Sequence, residues 1–104
     1  MKQNIFENIP AKIPEEIFET LIKNNNVKVE KIISKGHSSP KDFWYNQKQN
    51  EWVILLKGHA KLLFEKSDVI DLYPGDFINI PANTIHRVEW TDPVNETIWL
   101  AVFY

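Results

Sequence analysis

The chain has 104 residues, 43% apolar and 25% charged, the make-up of one ordinary folded domain rather than a disordered, fibrous or membrane-spanning chain. There is no cysteine, which excludes a disulfide scaffold and a thiolate metal site. Twelve Lys and Arg against fourteen Asp and Glu give a net charge of -2, with the basic residues spread out, so the concentrated positive surface needed for nucleic-acid binding is missing.

The opening MKQNIFENIP carries Glu7 and several amides where a secretory signal would need an apolar run of roughly 7 to 15 residues. No purely apolar run, Trp52 to Leu56 among them, approaches the about 20 residues of a membrane span. A soluble, cytoplasmic protein without a membrane partner is expected. Pro14, Glu15 and Glu16 suit a first helical turn, and Ile17, Phe18, Leu21 and Ile22 form one helical stripe, so a short N-terminal α-helix is predicted. Asn24 to Asn26 should stop it.

From Val27 the pattern turns to period two, rich in β-branched and aromatic residues. Breaks fall at Gly36 to Pro40, Lys57-Gly58, Lys66 to Asp68, Pro74 to Asp76, Pro81 to Asn83 and Asp92 to Asn95. Short strands at this spacing predict an all-β sandwich or barrel. The expected organisation is a single domain over 1–104, with residues 1–26 as an extension carrying the helix and 27–104 as the barrel. Asn95-Glu96-Thr97 reads as a polar turn between two strands rather than a glycosylation site.

Neighbouring strand residues point to opposite faces, so parity decides which side chains can meet. On one face of Thr84 to Trp90 lie Thr84, His86, Val88 and Trp90, which predicts an inward His86. Between Phe43 and Leu55, the positions Phe43, Tyr45, Gln47, Glu51, Val53 and Leu55 share a parity, so Glu51 is predicted to point inward as well. A carboxylate and an imidazole directed into one small barrel are costly unless a metal, a mutual hydrogen bond or a ligand compensates their desolvation.

These two segments resemble the paired motifs of the cupin superfamily, small double-sheet barrels of jelly-roll type, and the resemblance covers roughly residues 34 to 104. The second motif places a proline six residues after a glycine, then a turn glycine, a histidine and a final asparagine. Gly75, Pro81 and His86 match it, with Asn83 in place of the turn glycine and Trp90 in place of the asparagine. Asparagine is the next residue most able to take a left-handed conformation. In the first motif, two histidines precede a glutamate that a glycine follows at a fixed interval. Glu51 and Gly58 match, but both histidines are gone. A three-residue spacer puts Tyr45 and Gln47 at the histidine positions, whereas a four-residue spacer puts Trp44 and Asn46 there.

The resemblance implies an all-β cupin double-stranded β-helix. It also implies a divalent metal (Fe, Mn, Ni or Zn) held by motif residues, of which only Glu51 and His86 carry over cleanly, so the ligand set is incomplete. Gln47 is a weak third candidate, being a neutral amide. The leading expectation is a pocket built on Gln47, Glu51 and His86 that binds a divalent metal and a small organic ligand or substrate, with Tyr45, Trp90 and His37 as further pocket residues. Metal-free binding or sensing, and a structural dimer with a degenerate site, are the alternatives. His37, in the Gly36 to Pro40 loop, is either a turn residue or a substitute imidazole over the barrel mouth, and His59 should face solvent alongside Lys61. Thr97 to Tyr104 is apolar on both parities, so one face needs cover, which the N-terminal apolar residues or a second copy would supply. A homodimer is expected.

Overall fold

In a computed structural model, which describes residues 1–104, eight strands follow one another along the chain. They are β1 (Ile17–Lys23), β2 (Lys28–Ser34), β3 (Glu51–Lys57), β4 (Ala60–Phe64), β5 (Val69–Leu72), β6 (Phe77–Ile80), β7 (His86–Thr91) and β8 (Thr97–Phe103). A five-stranded sheet in the order β1-β2-β8-β3-β6 faces a three-stranded sheet in the order β5-β4-β7, and all the pairings are antiparallel. The breaks expected from the sequence after Val27 fall between strands, except that Lys57 is still the last residue of β3. No helix is long and apolar enough to cross a membrane.

The predicted N-terminal helix is a strand instead. Ile17 to Lys23 pairs with Lys28 to Ser34, and the register shifts between Thr20 and Ile22, so Leu21 is an extra, bulged residue. A bulge reverses strand parity. Phe18 and Thr20 face inward before it and Ile22 faces outward after it, which gives the apolar residues a spacing that looks helical. The hairpin is fixed by Asn24, whose side-chain Oδ1 accepts hydrogen bonds from the amides of Asn26 and Val27 at 3.0 and 2.9 Å. The asparagines that should stop a helix therefore turn a strand.

The core lies between the sheets, where Val53, Leu55, Ala60, Leu62, Leu72, Ile80, Trp99 and Ala101 are buried together. On β8 the inward set is Trp99, Ala101 and Phe103, and Ile98, Leu100 and Val102 look outward. Part of that outer face is covered within the chain. Lys31 donates from Nζ to the Glu7 carbonyl at 3.2 Å, and Ile13, Ile33 and Ile98 are all buried beside this crossing of the N-terminal segment. The cover comes from the segment before β1, not from Ile17, Phe18, Leu21 and Ile22, which lie in the edge strand with the last three exposed.

Two backbone positions hold the turns. Asn83 takes φ 63°, the left-handed conformation in which it stands in for glycine. Gly58 takes φ 93° at the β3–β4 turn, and a Cβ there would come within 2.7 Å of Thr97 Cα and 2.8 Å of the Glu96 carbonyl. Gly58→Ala is therefore expected to destabilise the protein by about 2 kcal/mol or more, read as a lowered midpoint in urea unfolding, because both the turn and the start of β8 must shift.

Candidate functional site

The long connection between β2 and β3 carries the first half of the site, and backbone pairing with β7 and the β6–β7 turn holds it in place. The Tyr45 amide donates to the His86 carbonyl at 2.7 Å and the His86 amide donates back to the Tyr45 carbonyl at 3.1 Å. The Ser39 amide bonds the Val88 carbonyl and the Asn83 amide bonds the Gln47 carbonyl, at 2.9 and 2.7 Å. This stitching extends the small sheet by one residue and points Tyr45 and Gln47 into the barrel, leaving Trp44 and Asn46 exposed. The three-residue spacing of the motif is thus the one the fold uses.

The barrel encloses a cavity of about 490 Å³. Tyr45, Gln47, Glu51 and His86 all line it, above an apolar wall that includes Val53, Leu62, Ile80, Val88 and Trp99. His86 is 5% exposed, and its Nε2 stands 3.5 Å from Glu51 Oε1. Its Nδ1 lies 2.8 Å from the Thr84 carbonyl, which can only accept, so Nδ1 carries a proton and Nε2 faces the cavity. The ring stacks between Tyr45 and Phe64, with centroids 5.6 and 5.8 Å away.

Burial pulls the His86 imidazole down. The Glu51 carboxylate and the Thr84 carbonyl push it up by more, so its pKa lies above the ordinary 6.5. Burial, followed by the carboxylates of Glu16, Glu51 and Glu30, raises the Tyr45 phenol above 10.0, which keeps it a hydrogen-bond donor at neutral pH. The cavity thus holds a carboxylate and an imidazole able to exchange a proton, next to a neutral phenol and an amide.

Two expected pocket residues are elsewhere. Trp90 does not face the cavity. The β4–β7 register matches Leu62 with Val88 but Lys61 with Trp90, so Glu89 is an extra residue and parity reverses there. Trp90 consequently lies on the outer face, edge-on to His59 at 4.9 Å with Lys61 Nζ 5.5 Å from its ring centre, while Thr91 takes the inward, buried position. His37 is not over the mouth. Its Nδ1 accepts from the Lys35 amide at 2.9 Å and its Nε2 donates to the Pro14 carbonyl at 3.2 Å, which is the turn-residue alternative. Phe43 is also exposed, edge-on to Tyr45 at 5.0 Å, because the turn closed by its amide to the Pro40 carbonyl ends the extended run. His59 lies on the outer face as expected, stacked on Tyr73 at 4.4 Å and bonded to Asp71 at 2.7 Å.

Sequence reasoning missed the wall supplied by the N-terminal hairpin: Glu16, Phe18, Lys28, Glu30 and Ile32. Glu16 accepts a hydrogen bond from the Ser34 hydroxyl, which in turn accepts from Trp99 Nε1 at 3.2 Å. Glu30 is 9% exposed, with Lys28 Nζ 3.5 Å away. The available signal was that Glu30, Ile32 and Ser34 share one parity, but Ile33 beside Ile32 hides the alternation.

The cupin domain model matches residues 30–103, most of the chain. The chain belongs to the cupin family. Among solved structures it is similar to a Ralstonia eutropha protein named "putative mannose-6-phosphate isomerase", at 40% identity over 99% of this chain and 96% of that one, with a TM-score of 0.95. It shares its fold with a cupin superfamily protein of Desulfitobacterium hafniense (21% identity, 91% and 82% of the two chains, TM-score 0.76). An RmlC-like cupin of Methanocaldococcus jannaschii shares it too (17%, 99% and 91%, TM-score 0.72). None of the curated proteins compared with the chain matches it.

The metal that the cupin resemblance implies can be tested against the donors present. The His86 tie to a carbonyl through Nδ1 is the orientation a ligating imidazole takes. Yet no three His, Asp or Glu side chains gather around one point, and Gln47 adds only a neutral amide. The donor set does not fit a tightly held ion. Glu51 is then the charged neighbour that acts on His86, which has a measurable consequence. In an NMR titration His86 should deprotonate above pH 6.5, and in Glu51→Gln, with burial left as the dominant influence, below it. By linkage, the stability this pair contributes is fully present below the unfolded-state pKa and is lost as pH rises through the raised folded-state value.

Proposed function

We propose that the cavity binds a small organic molecule directly, through Tyr45, Gln47 and the Glu51–His86 pair, with a divalent metal (Fe, Mn, Ni or Zn) only as a weak, exchangeable guest. The observation that carries this reading is a cavity of about 490 Å³ between the sheets, lined by an apolar floor and by convergent polar groups that include Tyr45, Gln47, Glu51 and His86, the usual form of a small-molecule site. A second reading is proton transfer on the bound molecule. It is favoured by the 3.5 Å contact between Glu51 and His86 and by the isomerase name of the Ralstonia protein. Self-association belongs to the same proposal, since β1 is an edge strand with Phe18 54% and Ile22 58% exposed, and Phe18 sits at the cavity mouth.

Elemental analysis of untagged protein grown with excess Fe, Mn, Ni and Zn should show well under one ion per chain, removed by dialysis against a chelator without lowering the melting temperature. Native mass spectrometry of the same protein should show a retained small molecule that His86→Ala and Gln47→Ala lose while keeping their fold. A stoichiometric ion surviving the chelator, with no organic adduct, would overturn direct binding in favour of a metal centre.

Light scattering at tens of micromolar should give the mass of a homodimer, and Phe18→Asp with Ile22→Asp should give a monomer. A wild-type monomer at that concentration would defeat the proposal of self-association.

A further inference from the structure

The cavity wall carries three carboxylates against one buried imidazole, His86, and its lysines stand at the rim. Glu16, Glu30 and Glu51 reach it from the segment before β1, from β2 and from β3, whereas the two lysines that line it, Lys28 and Lys48, are respectively half-exposed and exposed. Glu30 is the most buried of the three carboxylates, at 9% exposure, and accepts no hydrogen bond from the chain. Its ion-pair partner is Lys28 Nζ at 3.5 Å, a long contact that leaves acceptor capacity on the carboxylate. Its side chain keeps 12% exposure and lines the cavity, so its oxygens are open to a donor bound there.

The charge is also arranged for a body larger than a metal ion. No three acidic or imidazole groups come close enough to hold one ion, so the negative field is spread over the wall of the cavity rather than focused on a coordination point. The aromatic side chains of Phe18, Tyr45, Trp99 and Phe103 line the same cavity as the carboxylates. One corner already shows what these groups accept, since the ammonium of Lys28 rests 4.8 Å from the Phe103 ring centre while pairing with Glu30. The same field acts on Tyr45, whose phenol is pushed up first by burial and then by Glu16, Glu51 and Glu30.

We propose that the occupant of the cavity is a small organic cation, an amine or guanidine on an apolar body, held with its nitrogen among Glu16, Glu30 and Glu51 and its body against Trp99 and Phe103. The proposal rests on the small-molecule reading above and narrows it. The carboxylates supply charge-assisted acceptors and the rings supply cation–π attraction, whereas an anionic ligand that passed the lysines of the rim would meet carboxylates on the wall within.

The test is a titration of the full chain with benzylamine and benzamidine against their neutral counterpart benzyl alcohol and against mannose 6-phosphate. Binding is followed by the NMR signals of the Trp99 indole and the His86 ring. The cationic probes should bind at least about tenfold more tightly than benzyl alcohol, and mannose 6-phosphate should leave both signals unmoved. Glu30→Gln should remove most of the advantage of the amines while leaving benzyl alcohol unchanged. Glu16→Gln serves the same purpose if the first variant folds poorly, and Asp71→Asn on the outer face should change nothing. If benzyl alcohol or mannose 6-phosphate matches or exceeds the amines at these signals, the cationic class is overturned and the small-molecule pocket stands. If no probe of any charge moves either signal, both readings fall.

Discussion

The reciprocal pair of backbone hydrogen bonds between Tyr45 and His86 is the constraint on which the rest of the site depends. A connection of sixteen residues between β2 and β3, counted from Lys35 to Asn50, would ordinarily be free to place its side chains in many ways. Pinned to β7 by these two bonds, it becomes a piece of the small sheet, and parity then dictates the rest. Tyr45 and Gln47 must face the cavity, and Trp44 and Asn46 must face away. The same bonds bring the phenol ring against the imidazole ring, so the first and second halves of the motif meet through the backbone before any side-chain chemistry is involved.

Burying carboxylates in a barrel of this size has a cost, and the chain meets it piecemeal. Glu51 has the imidazole of His86, Glu30 has the ammonium of Lys28, and Glu16 has the Ser34 hydroxyl, itself oriented by the Trp99 indole. Each carboxylate thus has one partner, and none has a full set. A protein built for stability alone would fill such a space with apolar side chains, because incompletely paired buried charge contributes little or negative stability. Retaining it is reasonable where the remaining acceptors are completed by a ligand, and the apolar core beneath, from Val53 to Trp99, carries the stability instead.

Bulges shape the outer and inner faces alike. Extra residues at Leu21 in β1, Leu56 in β3 and Glu89 in β7 each reverse the alternation of their strand. The first turns an apparent helical stripe into an edge strand, and the last moves Trp90 out to join His59, Lys61 and Tyr73 while bringing Thr91 in. The strands can therefore curl into a barrel without keeping one residue parity from end to end.

From the sequence alone, the strand content after Val27, the positions of the turns, the left-handed Asn83 and the inward direction of Glu51 and His86 could all be read, because each depends on local preference or on strict alternation over a few residues. The motif spacing around Glu51, Gly58, Gly75, Pro81 and His86 also carried the family. The N-terminal element, the side taken by Trp90, the role of His37 and the share of the cavity wall supplied by Glu16, Phe18, Lys28 and Glu30 were decided only in the folded chain. A bulge leaves no mark in the alternation except its failure, and a hydrogen bond such as His37 to Pro14 joins residues whose closeness no local pattern records. Local pattern specifies which way a side chain points within one strand; which strands lie opposite it, and where their registers slip, is set by packing and backbone pairing across the whole barrel.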